Sequence, residues 1–349
     1  MQIRIKTFTV NKRFPLTISR GTTAQTTNVL VEIEEEGIIG WGEASPFSIG
    51  EQRQTTDSIQ QSLQQVSLDI EKFTPFDRQQ IEEYLIKSNI PSAARAAIDV
   101  ALHDWLGKKA GLPLWKMWGL DRDRIIPISV TVGINTPEGA KQRVRNWVNL
   151  IDAKVFKVKL GSPQGIAADQ AMFAAVREEV PSAKISVDAN GGWSLEDAVK
   201  MCHWLAENDV VYVEQPLPTG QEENLLNLRE KTPLPIFVDE SCFTSRDIAD
   251  LANKVDGINI KLMKSGGLTE AIRMIHTARS HNLQVMFGCY SDSSLANTAL
   301  SHLSPLADHL DLDSHLNLID DPFTGAIIQN GCLQPNNQPG LGISKNQHP

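Results

Sequence analysis

Eight short apolar segments, recurring from residue 125 onward with helix-like stretches between them, constrain the fold of this chain more than anything else in its sequence. They fall at 127–134, 153–160, 184–190, 210–216, 236–241, 257–262, 283–289 and 307–313. Parallel strands need long crossovers, usually helical, and strands covered on both faces read as short apolar runs. Eight of them at a recurrent β/α spacing predict a closed parallel barrel. An open doubly wound sheet would use the same units, but no Gly-rich nucleotide loop follows the first strand. At 349 residues the chain has room for such a barrel and a satellite domain.

Upstream of residue 125 the pattern changes. Residues 2–10 alternate, and 28–35 and 38–43 read as strands paired across the turn Glu36-Gly37. Two polar stretches, 17–27 with Arg20-Gly21 and 44–54 with Pro46, Gly50 and Glu51, read as loops of the kind that contact ligands. Residues 56–120 turn helical, with Ser92 the expected N-cap of a run over 93–109 that stops at Gly111 and Pro113. The charged run Asp121-Arg122-Asp123-Arg124 marks the boundary.

Charge and cysteine content narrow the function classes. Thirty-three basic and 42 acidic residues give a net charge of −9 with no run of like charge, which argues against nucleic acid and acidic membranes as partners. Met1 opens directly on a strand-like stretch and no apolar run approaches ~18 residues, so the expected location is the cytoplasm. Cys202, Cys242, Cys289 and Cys332 are far apart, which fits reduced, packed thiols rather than a zinc ribbon or a disulfide framework.

Ionisable residues gather where the predicted strands end. Lys157 and Lys159 share one strand face, Asp188 ends the third segment, Glu214 the fourth, Asp239 the fifth and Lys261 the sixth. The C-terminal end of such a barrel is its active-site face. A single acidic residue there ordinarily caps the next helix, but three on consecutive strands supply hard oxygen ligands that repel one another without a divalent cation. Mg2+ is the expected ion. Burial and mutual repulsion are expected to lower the pKa of the lysine pair toward the range of a useful base. Lys159 and Lys261 lie across the barrel from each other. Opposed amines around a metal-held carboxylate fit removal of a proton from the adjacent carbon and its return on the other face, with Lys157 adding to the stabilising field.

The ordered stretches Gly40-Trp41-Gly42-Glu43-Ala44, Ala96-Ala97-Ile98-Asp99, Lys157-Val158-Lys159, Val187-Asp188-Ala189-Asn190, Glu214-Gln215-Pro216, Asp239-Glu240-Ser241 and 260–267 resemble the enolase superfamily, in its muconate-lactonizing-enzyme-like subgroup. The resemblance covers nearly the whole chain. It implies a modified TIM barrel, (β/α)7β, over 125–320, an α+β capping domain over 1–124 with specificity loops near 15–27 and 44–54, and a segment 321–349 returning to the cap. It implies Lys159 and Lys261 as the opposed acid/base pair, Lys157 as helper, Asp188, Glu214 and Asp239 as Mg2+ ligands, and a homo-oligomer. Lys264 competes with Lys261, but strand parity with Asn259 favours Lys261.

Within that subgroup Asp311-Leu312-Asp313 resembles the Asp-x-Asp motif with which dipeptide epimerases hold a free amino terminus, although Ser314-His315 follows where Gly-Pro is usual. Arg20 resembles the arginine that pairs with a glutamate side chain in Ala-Glu epimerases. The reading is therefore an L-Ala-D/L-Glu epimerase connected with murein peptide recycling, with Tyr290 and Asp292 as further pocket residues. Epimerases of hydrophobic or cationic dipeptides and an o-succinylbenzoate synthase or related cycloisomerase are the alternatives. A metal-dependent binding protein without turnover is the reading from another class.

Overall fold

The computed structural model describes residues 1–346 apart from residue 51, so Glu51 and the last three residues lie outside the described part. The chain begins with a three-stranded antiparallel sheet, Gln2–Ile18, Gly21–Glu35 and Ile38–Ala44. Its second and third strands turn at Glu36-Gly37, both with positive φ (51° and 73°), the backbone twist that suits a tight hairpin. The stretch 17–27 is not the loop expected from its polarity. It is the end of a long two-stranded ribbon, paired Thr9↔Thr27 and Thr17↔Thr22, with the turn at Ser19-Arg20. β-branched threonines favour an extended ribbon even where both faces are wet.

The third strand lies directly on the helix Ser92–Ala110. A Cβ added to Gly42 would stand 1.9 Å from Ala97 O, and one added to Gly40 2.1 Å from Ala101 O, so the two glycines permit backbone contact between strand and helix. Ser92 is not the cap: Pro91 holds that position and Ser92 is already helical. The helix ends as expected at Gly111, in the left-handed region at φ 69°.

Downstream, eight parallel strands follow one another around the barrel in chain order: Val130–Val132, Val155–Lys159, Lys184–Asp188, Val210–Glu214, Ile236–Val238, Gly257–Ile260, Gln284–Phe287 and His309–Leu310. The eighth meets the first, since Ser129 N–H donates to Leu310 O at 2.7 Å. Seven helical connections join them. The connection Pro137–Ile151 shows why the sequence folds this way. Thr136 Oγ1 accepts from Gly139 N–H, Pro137 suits the first turn, and Ala140, Val144 and Trp147 form one buried stripe.

Strand pleat sorts the barrel residues. Phe156 and Val158 pack outward into the core shared with the helices, which leaves Lys157 and Lys159 inside. Tyr212, Phe237 and Met286 form a separate apolar cluster, with the His309 ring 4.5 Å from that of Tyr212.

Cap and barrel are tied by buried polar contacts. Glu43 accepts from Ser293 N–H (2.9 Å), Ala296 N–H (3.2 Å) and Asn28 Nδ2 (2.6 Å), which places a carboxylate at the start of the helix Ser294–Ser301. The end of the chain returns to the cap, where Lys345 Nζ lies 2.6 Å from Glu32 Oε1 and the Phe8 and Phe323 rings meet edge to face.

Gly42→Ala is expected to destabilise the protein by ~3 kcal/mol, because backbone on both sides must separate. Equilibrium urea unfolding measures this, and an unchanged midpoint would contradict the contact.

Candidate active site

The inward residues at the C-terminal strand ends form one buried network of ammonium and carboxylate groups. In register, Lys159 pairs across the sheet with Asp188 and Asp188 with Glu214. Lys159 Nζ donates to Asp188 Oδ2 at 2.6 Å. Lys157 Nζ, fully buried, lies 2.5 Å from Glu214 Oε2, 2.7 Å from Asp311 Oδ2 and 3.7 Å from Asp188 Oδ2. Across the barrel Lys261 Nζ donates to Asp239 Oδ2 at 2.7 Å and stands 4.6 Å from the centre of the Tyr290 ring. Tyr290 in turn stacks on Phe47 of the cap, with ring centres 4.7 Å apart.

The two lysines that compete on the sixth strand are separated by this geometry. Lys261 is extended and lines the large cavity above the barrel, as Lys159 does from the other side. Lys264 sits in the short turn Leu262–Ser265, fully buried, and donates to Asp239 Oδ1 (2.8 Å) and Asn259 O (3.0 Å). It is an internal strut.

Electrostatics correct one expectation. Burial alone would lower the pKa of Lys157 and Lys261, but the facing carboxylates reverse the direction and hold both ammonium groups well above the ordinary lysine value. For Lys157 the carboxylates are Asp311, Glu214 and Asp188; for Lys261 the chief one is Asp239. Burial pushes the Glu214 carboxyl up to about 7, with Asp188 and Asp239 adding repulsion and Lys157 opposing them. Asp239 faces the same burial cost, yet Lys261 and Lys264 hold it below the usual carboxylate range.

Among the described residues, no group of three or more His, Cys, Asp or Glu side chains is arranged to hold a metal as it stands. The reason is visible in the contacts: a lysine ammonium occupies the near side of each of Asp188, Glu214 and Asp239. The donor set itself fits a hard divalent cation. It offers three buried carboxylates from adjacent strands that raise one another's demand for positive charge, and Glu214 Oε2 accepts no hydrogen bond despite its nearness to Lys157.

The remaining expected residues divide. Asp311 accepts from Ser129 Oγ (2.9 Å) besides Lys157, and Asp313 accepts from Thr131 N–H (2.7 Å). Burial and Asp311 push the Asp313 carboxyl up to about 6. Ser314, where Gly-Pro is usual, donates to Asp292 O and accepts from Asn297 Nδ2, both at 2.8 Å, so it knits the seventh and eighth loops together. Arg20 lines the cavity but is already paired, with Glu240 Oε1 at 2.8 Å and Asn190 O at 3.1 Å. The carboxylate of Asp292 is engaged by Ser45 Oγ (2.6 Å) and Tyr290 N–H (3.1 Å), holding a loop instead of facing the cavity. Asn190, Asn259 and Glu240 are partners that sequence reasoning left out. Asn259 was findable, since it shares strand parity with Lys261 and donates to Glu214 Oε1 at 2.7 Å.

Above the network lies a cavity of about 650 Å3, roofed by the ribbon of the cap at Leu16, Ile18 and Arg20 and by Phe47. That volume suits a ligand of a few hundred daltons.

Two family models match this chain, the mandelate racemase / muconate lactonizing enzyme N-terminal domain over residues 2–119 and the enolase C-terminal domain-like model over residues 139–348. The chain belongs to the enolase superfamily. Among its relatives, the hydrophobic dipeptide epimerase of Roseobacter litoralis is 46% identical over 98% of each chain. The L-Ala-D/L-Glu epimerase of Bacteroides thetaiotaomicron is 37% identical over 99% of this chain and 88% of that one. The dipeptide epimerase of Enterococcus faecalis, solved with Mg and the dipeptide L-Leu-L-Tyr, superposes with a TM-score of 0.91 at 32% identity, covering 98% of this chain and 99% of that one.

Replacing each competing lysine by methionine separates their roles. Lys264→Met leaves Asp239 and a backbone carbonyl short of a buried partner and is expected to cost ~3 kcal/mol in urea unfolding without divalent ions, with Lys261→Met costing clearly less. Equal losses would remove the distinction.

Proposed function

We propose that this enolase-superfamily protein is a Mg2+-dependent dipeptide epimerase, which inverts the α-carbon of the carboxy-terminal residue of a dipeptide. The single observation that carries the reading is that Lys159 and Lys261, from strands four apart in a barrel of eight, line opposite sides of one cavity. One takes the α-proton from its face and the other returns a proton to the opposite face, so the configuration inverts without net oxidation or reduction. Asp188, Glu214 and Asp239 hold the metal, which when bound offsets the negative charge that develops on the substrate carboxylate. Lys157 adds positive charge beside that carboxylate and keeps Asp311 ionised. Asp311 and Asp313 take the substrate's ammonium group. The same reading places the capping domain at 1–124, the catalytic barrel at 125–320 and the returning segment at 321–349.

For the side chain beside the reacting carbon we propose an apolar group. Arg20 is neutralised by Glu240, and the cavity wall around it carries Leu16, Ile18 and Phe47. The 46% identical relative named a hydrophobic dipeptide epimerase supports this choice. L-Ala-D/L-Glu is the second reading, favoured by the presence of a guanidinium in the cavity at all, which a substrate carboxylate would have to win from Glu240. A cytoplasmic, homo-oligomeric enzyme of peptide salvage, acting on murein peptides if the second reading holds, completes the proposal. No helix among the described residues is long and apolar enough to cross a membrane.

Incubation with Mg2+ and a set of L,L-dipeptides in deuterated water tests both levels. Mass gain at the carboxy-terminal α-carbon, lost on chelation with EDTA and greatest for apolar residues, is the expected result. Greatest gain in L-Ala-L-Glu would select the second reading, and exchange in no dipeptide would contradict the epimerase.

A further inference from the structure

Lys12 is a cationic side chain of the cavity that the reaction does not use. It lies on the first strand of the cap, where its backbone bridges to Leu318 and Phe14 N–H donates to Asn317 Oδ1 at 2.9 Å, so the strand is fixed against the segment that follows the eighth barrel strand. Its side chain lines the same cavity as Lys159 and Lys261, and the residue is only 9% exposed. The four lysines of the barrel mouth are all ion-paired with carboxylates. Lys12 differs: among the described residues its carboxylate neighbours, Asp313 and Asp292, act on it through space and not through hydrogen bonds, and the nearby Cys289 is a buried thiol that burial keeps protonated. Burial lowers its pKa and those neighbours restore part of the loss. A nearly buried ammonium without a partner is unfavourable unless a ligand completes it.

Its position says which part of a ligand that is. Lys12 and Cys289 both line the cavity, Cys289 Sγ stands 4.0 Å from Asp313 Oδ1, and Asp313 acts on Lys12 through space, so Lys12 faces the cavity beside Asp313. We propose that Lys12 is a specificity-determining residue that reads the side chain of the dipeptide's amino-terminal residue, favouring a carboxylate there and rejecting a cation. The inference rests on the epimerase reading, which seats the substrate ammonium at Asp311 and Asp313. With that ammonium in place, Lys12 and the substrate present two positive charges to the same region. An aspartyl or glutamyl first residue supplies the partner Lys12 lacks, an alanyl one leaves it unpaired, and a lysyl or arginyl one adds a third positive charge.

The test compares kcat/KM for L-Asp-L-Leu, L-Ala-L-Leu and L-Lys-L-Leu, with Mg2+, in the wild-type protein, Lys12→Met and Lys12→Arg. The expected wild-type order is Asp over Ala over Lys, with roughly tenfold between the first two. Lys12→Met is expected to erase that tenfold and raise the lysyl substrate, while Lys12→Arg keeps the order. L-Ala-L-Leu turned over as well as L-Asp-L-Leu by the wild type would overturn the proposal, even if the methionine variant failed to fold. A wild-type order retained in a folded Lys12→Met protein would overturn it too, and would leave Lys12 a packing residue. Turnover of none of the three by the wild type would instead contradict the epimerase reading beneath it.

Discussion

Mutual neutralisation of buried charge at the barrel mouth is the constraint on which the rest of the structure depends. Lys157 alone is shared by three carboxylates from the third, fourth and eighth strands, with no exposed surface of its own. Any one of these groups left without its partners would be an isolated charge in a dry interior. The barrel register, which brings Lys159, Asp188 and Glu214 side by side, is therefore also an electrostatic register. A slip of one residue would turn the whole set toward the apolar helices.

The same network explains why the carboxylates proposed to hold a cation do not form a ready cluster among the described residues. Lysine ammonium groups stand against the carboxylates that would ligate a cation, and burial together with the repulsion of Asp188 and Asp239 raises the Glu214 carboxyl even with Lys157 beside it. A divalent ion held there would compete with the lysines for one set of oxygens. In the epimerase proposed above, an ion held there would loosen the carboxylate partners that keep Lys157 and Lys261 firmly protonated.

Much of this was legible in the sequence, because strand pleat is a rule of parity. Lys157 with Lys159, and Asn259 with Lys261, had to share a face, and the acidic residues closing three consecutive apolar runs had to meet at one end. The eight strands appear where their apolar runs do, although each is shorter than its run. What parity does not carry is long-range pairing. The engagement of Arg20 by Glu240 joins residues 220 apart in the chain, and the diversion of Asp292 to Ser45 depends on how the cap sits on the barrel. The ribbon over 17–27 escapes the sequence for a different reason: its composition is that of a loop, and only its pairing with the neighbouring strand makes it a ribbon. Lys12 is not distinguished by the sequence either: it lies beyond the alternation over 2–10, and only the observed strand Gln2–Ile18 turns it toward the cavity.

The claim at the centre is that Lys159 and Lys261 serve opposite faces of one carbon. It is tested most directly by following α-proton exchange in deuterated water, with Mg2+, from the L,L and L,D isomers of one dipeptide in Lys159→Ala and Lys261→Ala. The account predicts that both variants lose epimerisation while each retains exchange from a single isomer, a different one in each. Loss of exchange from the same isomer in both variants, or undiminished epimerisation in either, would contradict it.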